Sequence, residues 1–595
     1  MKMFTTSVSL FSLGLMSSGS LIAEEKTKEL TLKLGATEHI ELNVEAHETT
    51  RISVTSNRSQ YIRGTFSYDG DLASIKVYRS DQSLSKSLFN RVQARNLQTR
   101  DTHTSEPQDL TIHSSQKRIE EEIYLYLQHA DTYSIEVKAG NKASNVQFSL
   151  RDAPLKEDRV VNPSEPILSP RLKRLQNAID DNETSAEERF WTEIEAHGTP
   201  LIEPQSGDEV LLTFLWKGDV NNVRLLGAPY DGHAHLSRME NSKTWYKSYR
   251  VPKDFRLSYQ VAPYDGHAHL SRMENSKTWY KSYRVPKDFR LSYQVAPNMP
   301  RLESPQGWEQ RRAILATLQA DPNNLNPWPV PEEGRVYSTI ESGNPPSAHW
   351  LDGAVSQQGK LTHHTFSSEL LGNSRKISIY RPFNDQELNA DTPLLILFDG
   401  DAFLDKGLTP FVLDALIEAG ELAPMRAVFV NNPSRKLRGT ELPPNPEFAK
   451  MMATELMPWL AKHHEILPNS EQVVLSGASY GGLASLYIAH QYPDVFGKVL
   501  SQSGSFWWSH EDAEWLTKQI SQSPHKPIQV YLNAGLFEVK PDFANILGTN
   551  RNMHQVLKDK GYQVMLKEFA SGHDYFSWRI TLVDGLKRLF PMPVK

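Results

Sequence analysis

Val473-Val474-Leu475-Ser476-Gly477-Ala478-Ser479-Tyr480-Gly481-Gly482-Leu483-Ala484 decides how the rest of the chain is read. An apolar run reads as a strand, Gly-x-Ser-x-Gly follows without a spacer, and a helix-forming segment begins at once. That order describes a nucleophile elbow, a sharp strand-to-helix turn that lifts one hydroxyl out over the edge of a sheet. Gly477 and Gly481 suit it, since a side chain at either place would collide with the neighbouring strand or helix. Ser479 is therefore the candidate nucleophile. Tyr480, next in line, offers a backbone N–H at a helix start, where an oxyanion can be held.

The segments around the elbow repeat one pattern. Lys376 to Tyr380, Leu394-Leu395-Ile396-Leu397-Phe398, Ala427 to Val430, Lys498 to Ser503, Ile528 to Ala534 and Val564 to Phe569 read as strands, with amphipathic helices between them. Continuous apolar strands alternating with helices predict a mostly parallel sheet covered on both faces. With the elbow, this is the α/β-hydrolase fold, in which the order nucleophile, acid, histidine is expected. An alcohol needs a base to become nucleophilic at neutral pH. Ala570-Ser571-Gly572-His573-Asp574 follows the last strand, so His573 is the candidate base and Asp574 a loop-shaping neighbour. The acid should follow the preceding strand, where Gly535-Leu536-Phe537-Glu538 stands with Asp542 four residues on. Glu538 is the choice to orient the imidazole, with Asp542 the alternative and a working Ser–His pair without an acid the third reading. A second oxyanion donor is expected from the loop after Leu394–Phe398, through the N–H of Gly400 or Asp401. His463-His464 lies at a helix end, where the helix dipole is reason enough for it.

A chain of 595 residues is too long for a single core. Its net charge of -6 and lack of a dense basic tract argue against nucleic acid. Residues 1–23, with Lys2, a small and apolar run and Leu21-Ile22-Ala23-Glu24, read as a secretory signal peptide. No later apolar stretch is long enough to span a bilayer. Cysteine is absent, which excludes disulfides, thiolate catalysis and cysteine-held metals. Residues 24–152 carry short alternating strands such as Ile123-Tyr124-Leu125-Tyr126-Leu127, with a long polar loop at 93–117. They read as a β-sandwich accessory domain whose last hairpin resembles pre-peptidase C-terminal-type domains. After a linker near 154–170, residues 165–330 form a second β-sandwich-like domain. Within it, residues 228–261 recur without a difference as 262–295. Identity without drift points to a recent duplication of the coding segment or to an assembly error. One copy is expected to complete the sandwich while the other bulges out or adds an edge hairpin. A Pro/Gly/Ser segment at 334–346 reads as the linker to the catalytic domain, 346–595.

The catalytic half resembles the esterase-D-type α/β-hydrolases, the enterochelin (enterobactin) esterases in particular. The resemblance rests on Leu371-Gly372-Asn373-Ser374-Arg375, Arg438-Gly439-Thr440-Glu441-Leu442, Glu455-Leu456-Met457-Pro458-Trp459, the elbow, Ser501-Gln502-Ser503-Gly504-Ser505-Phe506-Trp507-Trp508 and Gly572-His573-Asp574. Gly198-Thr199-Pro200-Leu201, Thr213-Phe214-Leu215-Trp216-Lys217-Gly218 and Trp279-Tyr280-Lys281-Ser282-Tyr283-Arg284 extend it to about residue 165. It departs from the family in the repeat and the extra N-terminal domain. Family members are typically cytoplasmic, so the leader implies a periplasmic version. The resemblance implies a ferric catecholate siderophore, a cyclic trilactone of acylated serines, as substrate, with no cofactor and iron arriving only as part of that substrate. For so anionic a ligand, Arg438 and Arg579 are the candidate cations, and Trp507 and Trp508 the candidate rings for catechol stacking. His233-Ala234-His235 and its copy His267-Ala268-His269 have no third ligand in view, so no metal is assigned. Two other readings keep these residues: another esterase-D chemistry such as hydroxycinnamoyl release or acyl transfer, and a siderophore-binding protein carrying an inactive hydrolase.

Overall fold

The structure is a computed structural model. It describes residues 26–30 and 37–592, apart from 57–58, 82–83, 91–118, 128–129, 154, 156–165, 205–208, 219–221, 229–231, 239–244, 247–267, 273–277, 287–288, 301, 303–308, 331–334, 343–347, 352–354, 357, 386–388, 511 and 540–544. Of 26–30, 71, 84–90, 119–121, 209, 226–228, 232–238, 245–246, 268–272, 278–286 and 311 only the backbone is described. The proposed leader, the polar loop at 93–117 and Asp542 lie outside the described residues.

Eight strands organise the catalytic half: β1 Lys360–Ser368, β2 Asn373–Arg381, β3 Leu394–Phe398, β4 Arg426–Val430, β5 Val473–Ala478, β6 Lys498–Gln502, β7 Gln529–Gly535 and β8 Gln563–Phe569. Their spatial order is β1-β2-β4-β3-β5-β6-β7-β8. β1 and β2 form an antiparallel hairpin, β2 runs antiparallel to β4, and the remaining pairs are parallel. The period-two rule of a pleated strand assigns faces within the apolar runs. Leu394, Ile396 and Phe398 enter one core with Phe448, Leu456 and Leu483, while Leu395 and Leu397 enter the other with Leu413, Leu582 and Leu586. Each fully buried side chain of this size contributes about 1.5–3 kcal/mol. A sheet buried on both faces leaves its carboxyl edge as the open place for a site, and the elbow, the β7 turn and the loop after β8 all lie there.

Each of the two preceding regions, expected as β-sandwiches, has its described strands joined in one hydrogen-bonded sheet. Residues 26–153 form one hydrogen-bonded sheet of seven strands. Its long strands Gln60–Tyr78 and Asp131–Ala153 each pair with several neighbours, and the sheet closes over a core of Ile52, Val54, Phe66, Ile135 and Phe148. Tyr61 and Tyr126 of this sheet pack with Leu302 and Ala313, which docks it on the next region. There, helices Pro170–Asp180 (capped by Ser169, whose side chain accepts from Leu172 N) and Ala186–His197 lead into a ten-stranded sheet. The later copy of the repeat supplies its full-length strands: Thr278–Pro286 pairs along the whole of Glu209–Lys217, and Phe289–Pro297 pairs with Arg335–Ser342. The earlier copy adds Gly232–Arg238 beside Ala268–Arg272, in parallel with His235 opposite His269, and a two-residue strand at Trp245–Tyr246. Residues 335–342 are thus not linker. Tyr337 and Ile340 are buried in a strand, and the Gly and Pro residues mark only its ends.

Helix Met457–His464 ends against β1, where the His364 and His464 rings lie 4.3 Å apart and both meet Trp459. Burial, then the charges of His364, Arg381 and His463, lowers the His464 pKa from 6.5 to about 4. The unfolded chain therefore takes this proton first as pH falls, so the stabilisation is full above 6.5 and is lost on the way down to about 4. His464→Gln should flatten the fall of the urea midpoint across that window; curves running parallel to the wild type would contradict this. Among the described residues, no helix is long and apolar enough to cross a membrane.

Candidate active site

Ser479 sits between β5 and helix Tyr480–Gln491 at φ 59° and ψ -118°, in the left-handed half of backbone space that a non-glycine residue occupies only under constraint. The constraint is visible. Ser479 N–H donates to Gln502 O (2.9 Å), Ser505 N–H donates to Ser479 O (3.1 Å), and a Cβ on Gly477 would stand 2.8 Å from the Gly481 backbone. The result is a partly exposed Ser479 at the open edge of the sheet. Its Oγ lies 3.1 Å from Ser505 Oγ.

β7 ends at Gly535, where an added Cβ would meet Ser571 O at 2.0 Å, so the acid turn and the histidine loop press backbone to backbone. Glu538 follows in that turn. Its Oε2 accepts from Gly535 N–H (2.5 Å) and its Oε1 from His573 Nδ1 (2.5 Å), with both side chains almost fully buried. With Nδ1–H donated to the carboxylate, the imidazole lone pair is left on Nε2, which is buried and makes no hydrogen bond. The ring is held edge-on to Trp578 at 4.8 Å, and Trp578 donates from Nε1 to Ser503 Oγ (3.0 Å). The adjacent Asp574 caps the last helix, accepting from Ser577 N–H (2.8 Å), and takes the Ser292 hydroxyl (2.9 Å) from the preceding domain. Burial raises its pKa, opposed by those bonds.

At the end of β3, Asp399 turns the chain at φ 54° and helix Gly400–Asp405 begins. The Asp401 N–H is donated to Asn431 Oδ1 (2.7 Å), which removes it as an oxyanion donor and leaves Gly400 as the candidate from this turn. Asp399 receives two parallel hydrogen bonds from Arg438, 2.6 and 2.7 Å. Arg438 rides on helix Arg435–Glu441, pinned by the buried pair of Glu441 with Arg375 (3.0 Å) and by Asn373 (2.9 Å). The Arg438 guanidinium lies over the Tyr480 ring (5.7 Å), and Tyr480 faces Trp507 (6.1 Å, 36°). A cation and two partly buried rings therefore line up beside the elbow.

The other two binding candidates go elsewhere. Arg579 is buried, with its guanidinium over Phe576 (4.5 Å) and Trp328 (5.2 Å), because the last helix packs that face against the preceding domain. Trp508 packs edge-on to Trp515 at 5.9 Å, against the core. Ser505, Asp399 and Ser292 are neighbours of the site to which the sequence assigned no role, although Asp399 stands in Leu397-Phe398-Asp399-Gly400, a segment shared with the resembling family. Ser505 stands inside the quoted 501–508 segment, but nothing local distinguishes it from Ser501 or Ser503. The side chains of His233, His235, His267 and His269 are not described, and no cluster of three metal-ligating residues exists among the described residues.

Residues 368–589 match the family described as putative esterase, and residues 264–351 the family described as enterochelin esterase, N-terminal. The second match begins in the later copy of the repeat, the one that supplies the long strands. An iron(III) enterobactin esterase of Dickeya dadantii (strain 3937) is 29% identical over 451 residues, covering 68% of this chain and 93% of the relative. The crystal structure of a ferric enterobactin esterase from Salmonella typhimurium superposes with a TM-score of 0.52 at 22% identity, covering 68% of this chain and 98% of that one. The enterobactin esterase from Shigella flexneri, crystallised in the presence of enterobactin, gives 0.50 at 23% identity over 68% and 97%. The chain has the α/β-hydrolase fold, carries an enterochelin-esterase N-terminal domain followed by an esterase domain, and is a carboxylic ester hydrolase.

Proposed function

We propose that this carboxylic ester hydrolase cleaves the trilactone esters of ferric catecholate siderophores of the enterobactin type, through an acyl-enzyme, and so releases iron. The observation that carries the reading is the buried Glu538–His573 pair at the sheet edge that bears Ser479, beside the row of Arg438, Tyr480 and Trp507. In the reaction the Ser479 hydroxyl turns from Ser505 to His573 Nε2 and gives up its proton there. Oγ then bonds to the lactone carbonyl carbon, and the oxyanion is held by the N–H groups of Tyr480 and Gly400. The C–O bond to the leaving serine breaks as His573 returns the proton to that oxygen, and water, deprotonated in turn by His573, frees the acyl group. Cleaving the esters in turn opens the ring and then separates the three catechol arms, which ends the high effective concentration they shared around one ion, so iron is held less tightly. Iron comes with the substrate, and the chemistry needs no cofactor of the protein's own. The basic and apolar start of the sequence supports a periplasmic setting.

Arg438 is neutralised by Asp399, so its share in binding is stacking and local charge balance rather than a net positive field. Arg438→Gln leaves the Asp399 carboxylate, still bonded by Asn432 (3.0 Å), without its counter-charge beside an anionic ligand. KM for the ferric trilactone should rise about tenfold or more, and by less for a neutral ester. Substrate class is tested by turnover of a catechol-serine trilactone against methyl ferulate. The expected kcat/KM ratio favours the trilactone by about a hundredfold or more. Equal turnover of the two would overturn the siderophore reading in favour of a general esterase.

A further inference from the structure

The preceding β-domain reaches the catalytic machinery at two points, each one residue away from a member of the Glu538–His573 pair. Phe537, next to Glu538, is 1% exposed, and its ring belongs to the core of that domain, among Leu201, Phe214, Leu291 and Tyr293. Asp574, next to His573, is fully buried, and its Oδ2 accepts from both the hydroxyl (2.9 Å) and the N–H (3.4 Å) of Ser292. Ser292 lies in strand Phe289–Pro297, held in the ten-stranded sheet by Arg335–Ser342. One turn further on, Phe576 is covered by Arg290 (5.0 Å) and Trp328 (5.4 Å) of the same domain. The β7 turn and the loop after β8 are otherwise tied to each other chiefly through backbone, by Leu536 N–H to Phe569 O (2.9 Å) and the close approach at Gly535.

We infer that the β-domain is the positioning element of the acid and the base: Phe537 seats the Glu538 turn and Ser292 seats the His573 loop, so that the imidazole arrives at Ser479 in register. A domain outside the sheet that bears Ser479 thereby sets the rate of the chemical step. The inference rests on the roles proposed above for His573 and Glu538, but not on the identity of the ester. Neither Phe537 nor Ser292 touches the reacting atoms; each acts through its neighbour. The anchors are of different chemistry, one apolar and one hydrogen-bonded, and they hold opposite sides of the same hydrogen-bonded pair. Loss of either shifts one partner by a fraction of an ångström, and displacements approaching 1 Å cost up to about a hundredfold in rate.

The test uses the full chain and p-nitrophenyl butyrate, a small neutral ester that asks nothing of a siderophore pocket. Ser292→Ala and Phe537→Ala should each lower kcat about tenfold with KM within about twofold, and the pair about a hundredfold. The rate at which a p-nitrophenyl phosphonate labels Ser479 should fall in parallel. Ser292→Thr, which keeps the hydroxyl, and Phe537→Leu, which keeps an apolar plug, should recover to within about threefold of wild type. If Phe537→Ala does not fold, the Ser292→Ala and Ser292→Thr pair decides alone. The inference is overturned if the alanine variants, corrected for the fraction folded, keep kcat and labelling rate near wild type. It is overturned equally if their only defect is a raised KM for the trilactone. A wild-type chain that cleaves the butyrate but not the trilactone removes the siderophore reading and leaves this test intact.

Discussion

Ser479→Ala lowers kcat for trilactone hydrolysis by about four to six orders of magnitude while leaving ferric siderophore binding within a few-fold of wild type. The size follows from the chemistry: without Oγ there is no acyl-enzyme, and what survives is the contribution of the oxyanion donors and of binding. Alanine also lacks the hydroxyl that meets Ser505, a hydrogen bond of 3.1 Å at a partly exposed position, so the fold should lose little. Chromatography of the released catechol-serine fragments reads the first quantity and quenching of tryptophan fluorescence the second. Hydrolysis persisting at the wild-type rate in the variant would remove Ser479 from the mechanism. Binding without hydrolysis in the wild type itself would make the chain a capture protein with a silent hydrolase.

Glu538→Gln lowers kcat by about three to four orders of magnitude, as much as Glu538→Ala, although it is the same size as the native side chain. Glu538 has two fixed partners that ask opposite things of an amide. Gly535 N–H donates to one carboxylate oxygen and His573 Nδ1–H to the other. A glutamine must turn its oxygen to Gly535, which leaves its NH2 facing Nδ1. The ring then carries its proton on Nε2, where it cannot accept one from Ser479. Should Glu538→Gln stay within about tenfold of wild type, the acid is elsewhere, and Asp542 becomes the candidate. The KM for the trilactone should be nearly unmoved, because the Glu538 side chain is fully buried.

The candidate triad was legible because each member stands in a local pattern. Ser479 follows an apolar strand at a Gly-x-Ser-x-Gly turn, and Glu538 and His573 each follow a strand in the order the fold requires. What the sequence could not display are pairings between distant segments. Asp401 looked like a free donor until Asn431, thirty residues on, took its N–H. Arg579 adjoins the catalytic loop in sequence, yet its helix turns it towards Trp328 of another domain. Residues 335–342 carry the composition of a linker at their ends and the alternation of a strand between them, and the partner that settles the matter is some fifty residues away. The β-rich regions were recognised by period-two alternation, which fixes the faces of each strand but not whether two layers share their longest strands.

The two 34-residue copies have identical sequences, yet among the described residues they have unequal duties: the later one spans Glu209–Lys217 and furnishes Ser292, the earlier one contributes short extra strands. Excising either copy from the coding sequence yields one and the same shorter polypeptide. Whichever segment is removed, the survivor is joined to Phe289–Pro297's downstream neighbours and inherits the anchoring duty. The surplus is therefore genetically erasable in a single step, and a shortened chain retains every residue that ties the β-domain to the loops of His573 and Glu538.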